Sequence, residues 1–75
     1  MKKFGSRIDY EIFDALRRAR GLSYAALARR VGVTESNIRY IALGKNEPRV
    51  GTALLLAREL RTTTEKLFPL RSKAA

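Results

Sequence analysis

The sequence predicts an all-α fold, a five-helix bundle built around a helix-turn-helix, and three observations predict it. Residues 22–48, LSYAALARRVGVTESNIRYIALGKNEP, carry apolar side chains at three- and four-residue spacing on both sides of Gly32. Ser23 and Thr34, both good N-cap residues, stand ahead of the two periodic runs. Glycine or proline punctuates most of the boundaries, at Gly21, Gly32, Gly44, Pro48 and Pro69.

Taken in order, residues 1–7 form a short basic arm with Lys2, Lys3 and Arg7. A first helix is expected from residue 8 or 9 to 20, stopped by Gly21, with Tyr10, Phe13 and Leu16 toward the core. The second opens at Ser23 and places Leu27, Ala28 and Val31 on one face. Gly32 ends it, because glycine takes the left-handed conformation at little steric cost. The third, residues 34–43, starts at Thr34, buries Ile38 and Ile41, and turns Glu35, Ser36, Arg39 and Tyr40 outward. A fourth is expected over about residues 51–60 with Ala53, Leu54, Ala57 and Leu60 inward. A fifth runs over 63–68, its start marked by the capping-box spacing of Thr62 and Glu65. Ile12, Leu55 and Leu70 fall where such a bundle leaves side chains exposed. No linker, repeat or low-complexity tract interrupts residues 8–69, so one domain is expected, followed by a short tail at 70–75.

The composition agrees. A chain of 75 residues has a marginal core unless its helices pack efficiently or it associates with another copy. Lys and Arg number 16 against 7 Asp and Glu, a net charge of +9, which favours a polyanionic partner, nucleic acid first. No apolar run approaches the roughly 20 residues that span a bilayer. Residues 1–5 lack the apolar region of a signal peptide, so no membrane partner and a cytoplasmic, nucleoid-associated location are expected. Without cysteine or histidine the chain has no disulfide framework, no thiolate or imidazole metal ligand and no ordinary general base near neutral pH. Neither enzymatic activity nor a cofactor or metal is expected.

Residues 12–68 resemble the Xre, or phage-repressor-and-Cro, class of helix-turn-helix domains. The resemblance rests on Leu27-Ala28 with Val31-Gly32-Val33, on Ile38, Ile41, Gly44 and Pro48 at their spacing, and on residues 60–68 as the closing helix. It implies a repressor-like bundle whose second motif helix lies in the major groove of double-stranded DNA. Glu35, Ser36 and Tyr40 then sit at base-reading positions, with Asn37 and Arg39 beside them. The chemistry permits this: a carboxylate accepts from the cytosine amino group, a serine donates or accepts, and a tyrosine packs on a thymine methyl or reaches a phosphate. Glu35 has an alternative role as a first-turn anion that favours the helix dipole. The phosphate ligands implied are Arg17, Ser23, Tyr24, Thr34, Lys45, Asn46 and Arg49, with the Tyr24 hydroxyl in place of the family's glutamine.

Three departures from the family pattern stand out. Ala42 replaces a glutamate that pairs with Arg17, which leaves Arg17 solvated, paired elsewhere, or free for a phosphate. Leu43 replaces a polar residue, and either packs inward or leans on a sugar. Arg61 replaces a capping glycine, where a left-handed arginine costs about 1 kcal/mol, so that loop is expected to depart from the family geometry. The resemblance implies a sequence-specific transcriptional regulator, a repressor, acting as a homodimer on half-sites about one helical turn apart. The alternative is an interaction module of the same fold, antitoxin-like or polymerase-binding, with non-specific DNA affinity only; Ala42 and Leu43 are its support. RNA binding lacks an aromatic motif, and the helices are short for a membrane-surface role.

Overall fold

A computed structural model describes residues 7–69. They form α1 (Tyr10–Ala19), α2 (Tyr24–Val31), α3 (Glu35–Ala42), α4 (Val50–Glu59) and α5 (Thr64–Leu67). Lys2 and Lys3 of the expected arm, Leu70 and the 70–75 tail lie outside the described residues.

Each helix begins where a short polar side chain can satisfy a free backbone donor, with one exception. Asp9 accepts from the Ile12 N–H at 3.2 Å, Ser23 from Ala26 at 3.0 Å and Thr34 from Asn37 at 3.0 Å. Arg49 precedes α4 without a side-chain cap. At α5 the cap is Thr63, which accepts from Lys66 at 3.2 Å, one residue later than the Thr62 and Glu65 spacing indicates. Thr62 is engaged elsewhere: its N–H donates to the Ala57 carbonyl at 2.9 Å and closes the end of α4.

The ends of α1 and α3 share that closure with α4. At α1, the N–H groups of Gly21 and Leu22 donate to the carbonyls of Arg18 and Arg17; at α3, those of Gly44 and Lys45 donate to Ile41 and Tyr40; at α4, those of Arg61 and Thr62 donate to Arg58 and Ala57. This is the Schellman pattern, which requires a left-handed residue just past the helix. Gly21 and Gly44 supply it at φ 66° and 75°, and Arg61 supplies it at φ 58°. The arginine thus takes, at the end of α4, the left-handed conformation that glycine supplies after α1 and α3.

The core gathers Phe13, Leu27, Ile38, Ile41, Leu56, Leu60, Leu67 and Phe68, all fully buried. α2 packs on α3 and α4, α4 also on α5, and α5 on α1. The Asp9 N–H donates to the Leu67 carbonyl at 2.7 Å, tying the first helix to the last. The expectations for α4 are half met. Ala53, Ala57 and Leu60 face inward, but Leu54 is 56% exposed and Leu56 fills the core. Ala53, Leu56, Ala57 and Leu60 keep one helical stripe, from which Leu54 is rotated by about a quarter turn. Leu55 is exposed as expected. Tyr10, expected in the core, is 46% exposed: it opens α1 at the rim, its ring 6.5 Å from that of Phe13. Ile12, expected outside, is half-buried against the core on the helix that α5 packs against.

Arg20 Nε donates to the Glu59 carbonyl at 3.0 Å, and Arg30 pairs with the Glu59 carboxylate at 3.3 Å. Both cations meet the negative end of α4 and hold it to α1 and α2. No described helix is long and apolar enough to cross a membrane.

Left-handed backbone should decide the sign of two substitutions. Arg61→Gly should stabilise the domain by about 1 kcal/mol, and Gly32→Ala, at φ 86° with no atom near the added methyl, should destabilise it by about as much. Chemical denaturation of the two variants beside the parent chain measures both.

Candidate nucleic-acid interface

The outer face of α3 follows from its inner one. With Ile38, Ile41 and Ala42 buried, Glu35, Ser36, Arg39 and Tyr40 are exposed and Asn37 is half-exposed. Tyr40 leaves half its surface free. Arg39 Nη2 lies 2.8 Å from Glu35 Oε2, with the glutamate one turn toward the N-terminus, the favourable order for such a pair. The Arg39 guanidinium also stands over the Tyr24 ring, 5.7 Å from its centroid.

Tyr24 opens α2 and is a platform for two arginines. Arg17 lies 4.9 Å from the ring centroid, and Phe13 meets the ring edge-on at 5.9 Å. Partial burial, then the neighbouring Tyr10 hydroxyl, push the Tyr24 phenol above its ordinary value of 10, so it stays neutral. The sequence indicated a role for its hydroxyl; the structure employs its face.

Arg17 is held within the fold. Nη2 pairs with Asp14 Oδ1 at 2.7 Å, Nη1 donates to the Leu22 carbonyl at 2.8 Å, and Nε is buried without a hydrogen-bond partner among the described residues. Of the three fates left open by Ala42, pairing elsewhere is the one adopted. Each of its two terminal nitrogens makes one hydrogen bond within the fold. Asp14 also holds Arg18 Nε at 2.9 Å. The hydrogen bond from Arg17, then the charge of Arg18, hold the Asp14 carboxyl below its ordinary value despite the opposing effect of desolvation. Sequence reasoning passed over Asp14, although its three- and four-residue spacing to Arg17 and Arg18 is the helical ion-pair signal. The contact between Tyr24 and Arg39 crosses two helices and has no such signal.

Most of the other residues expected to meet phosphate lie at the surface, with Asn46 half-exposed. Ser23 and Thr34 are exposed, each hydroxyl oxygen accepting a cap bond with its own hydrogen left to donate. Tyr40, Lys45 and Asn46 share a shallow hollow. Asn37, Asn46 and Arg49 share an adjoining groove of about 310 Å³ with Thr52 and Glu47, neither of which was anticipated. Leu43 points outward, 57% exposed, whereas Ala42 is buried.

Asp14 gives the domain a pH signature. Its carboxyl titrates lower folded than unfolded, so its contribution is complete above about 3.8 and is lost as pH falls through the depressed folded value. Asp14→Asn should therefore melt below the parent chain at pH 7. The two thermal transitions, followed by circular dichroism, should converge once the pH drops well under 3.8.

The helix-turn-helix family model HTH_3 matches residues 14–67. No curated protein sequence matches the chain significantly. Among solved structures, the chain is similar to the restriction-modification controller protein C.AhdI from Aeromonas hydrophila, with 29% identity and a TM-score of 0.69 over 79% of this chain and 89% of that one. It is similar to the P22 c2 repressor, solved in complex with a synthetic operator, with 25% identity and a TM-score of 0.76 over 85% of this chain and 97% of that one. A transcriptional regulator from Vibrio cholerae is 28% identical, with a TM-score of 0.62 over 76% of this chain and 32% of the longer neighbour. With the family model spanning the whole motif and most of the chain, this protein belongs to the HTH_3 helix-turn-helix family.

Proposed function

We propose that this DNA-binding transcriptional regulator is a sequence-specific repressor that binds a pseudo-palindromic duplex as a homodimer. Each copy inserts α3 into the major groove. The observation that carries the reading is the division of α3, buried along Ile38, Ile41 and Ala42 and free along Glu35, Ser36, Arg39 and Tyr40, with Asn37 at the edge. Those five residues face the bases. Ser23, Tyr24, Thr34, Lys45, Asn46 and Arg49 hold the backbone, most of whose contacts set position rather than sequence. Repression follows from occupying the site, with no catalysis and no cofactor, in the cytoplasm where the DNA lies.

The homodimer is supported by α4. Leu54 and Leu55 are exposed there on an open groove of about 650 Å³ between α4 and α5. Arg58 and Glu65 also line it, so a second copy related by a two-fold axis can offer each charge its opposite.

The alternative, a protein-interaction module, is favoured by the exposure of Leu43 alone, since buried Ala42 offers nothing to a partner. Fluorescence anisotropy distinguishes the two. Under the regulator reading, one duplex from the gene's own upstream region binds at least about 10³-fold tighter than its shuffled control. Arg39→Ala and Tyr40→Ala each weaken that binding about 10- to 100-fold while changing the control little. Equal, steeply salt-dependent binding to both duplexes supports the module. Leu54→Glu should leave the protein monomeric in sedimentation at concentrations where the parent chain dimerises.

A further inference from the structure

Arg39 is the sole cation of α3, and its side chain is occupied on two sides. Glu35 Oε2 holds Nη2 at 2.8 Å, and the Tyr24 ring lies 5.7 Å away. The ring is itself fixed by Phe13 edge-on and by Arg17 at 4.9 Å, so it limits the arc through which Arg39 can swing. Glu35 and Arg39 remain about half exposed, which makes their pair weak enough for DNA to open.

We infer that Glu35 is a specificity-determining gate on Arg39, denying the guanidinium to passing phosphates and releasing it only where both groups find base partners. Phosphate contacts supply non-specific affinity and carry no sequence information. An Arg39 that swings to a phosphate leaves the Glu35 carboxylate unpaired in the negative field of the backbone. A G·C pair in the major groove resolves the conflict. Guanine O6 and N7 accept from Arg39, and the cytosine amino group donates to Glu35. Opening the pair is therefore unfavourable on most sequences and compensated at a few. The inference rests on α3 reading DNA as proposed above. It joins the two roles that the sequence left open for Glu35, as a base reader and as an anion kept for the protein's own sake.

The test begins with selection of a preferred duplex from a randomised library by the full chain. That duplex and its shuffled counterpart are then titrated at several salt concentrations with the parent chain, Glu35→Gln, Arg39→Gln and the double variant. Glu35→Gln should bind the shuffled duplex about fivefold tighter and steepen its salt dependence by about one unit of slope, the mark of one further phosphate contact. Its gain on the selected duplex should be smaller, so the ratio of the two affinities falls. Library selection by Glu35→Gln should also lose one fixed G·C position. In the Arg39→Gln background, Glu35→Gln should produce neither the gain nor the steeper slope. An equal gain on both duplexes, or the same gain with Arg39 replaced, would overturn the gate and leave Glu35 as a carboxylate that repels phosphate by itself. A parent chain that selects no sequence would overturn the DNA reading itself, before any variant is compared.

Discussion

Two eight-residue helices have no stability of their own in water, where even favourable sequences need about 12–15 residues. Burial of the inner faces of α2 and α3 is the constraint on which everything else in this domain depends. Leu27, Ala28 and Val31 on one helix and Ile38, Ile41 and Ala42 on the other pass below the surface together, closed from beneath by Ala53, Leu56 and Ala57. The outer face of α3 has no independent definition. It is whatever remains when the inner stripe is satisfied, so the aim of Arg39 and Tyr40 is set by residues that never meet a partner.

Among the described residues, four arginines are held in ion pairs. Asp14 takes up Arg17 and Arg18, Glu35 takes up Arg39, and Glu59 takes up Arg30. From α1 to α3 the groups run Arg18, Asp14, Arg17, the Tyr24 ring, Arg39 and Glu35, each in contact with the next. Arg17 bonds Asp14 on its own helix and the carbonyl of Leu22.

Local rules account for the ends of the helices. Short hydroxyl or carboxylate side chains cap four of the five, and the same closing pattern recurs after α1, α3 and α4. That recurrence explains the misplaced cap at α5. Among three consecutive threonines, 62–64, sequence spacing favoured Thr62, but the closure of α4 had already claimed the Thr62 N–H. A backbone group can serve one helix end, and the preceding helix took it.

What the sequence by itself determined is what depends on neighbours within a turn or two. This covers five helices, their caps to within a residue, the left-handed glycines, the inner stripe of the motif and the list of side chains facing away from it. Helical periodicity and backbone sterics act over that range, and they were legible in Ser23, Gly32, Thr34 and Ile38. The tertiary structure alone decided matters of phase and of contact between helices. Three consecutive leucines at 54–56 satisfy several helical stripes equally, and packing on α2 and α5 put Leu56 inside and Leu54 out. Tyr24 and Arg39 are fifteen positions apart, so no spacing rule joins them; they meet because the turn at Gly32 folds α3 back across the start of α2. Side-chain reach makes the contact and burial elsewhere sets the angle, which is why the half-buried aromatic platform under Arg39 belongs to the fold and not to the string of residues.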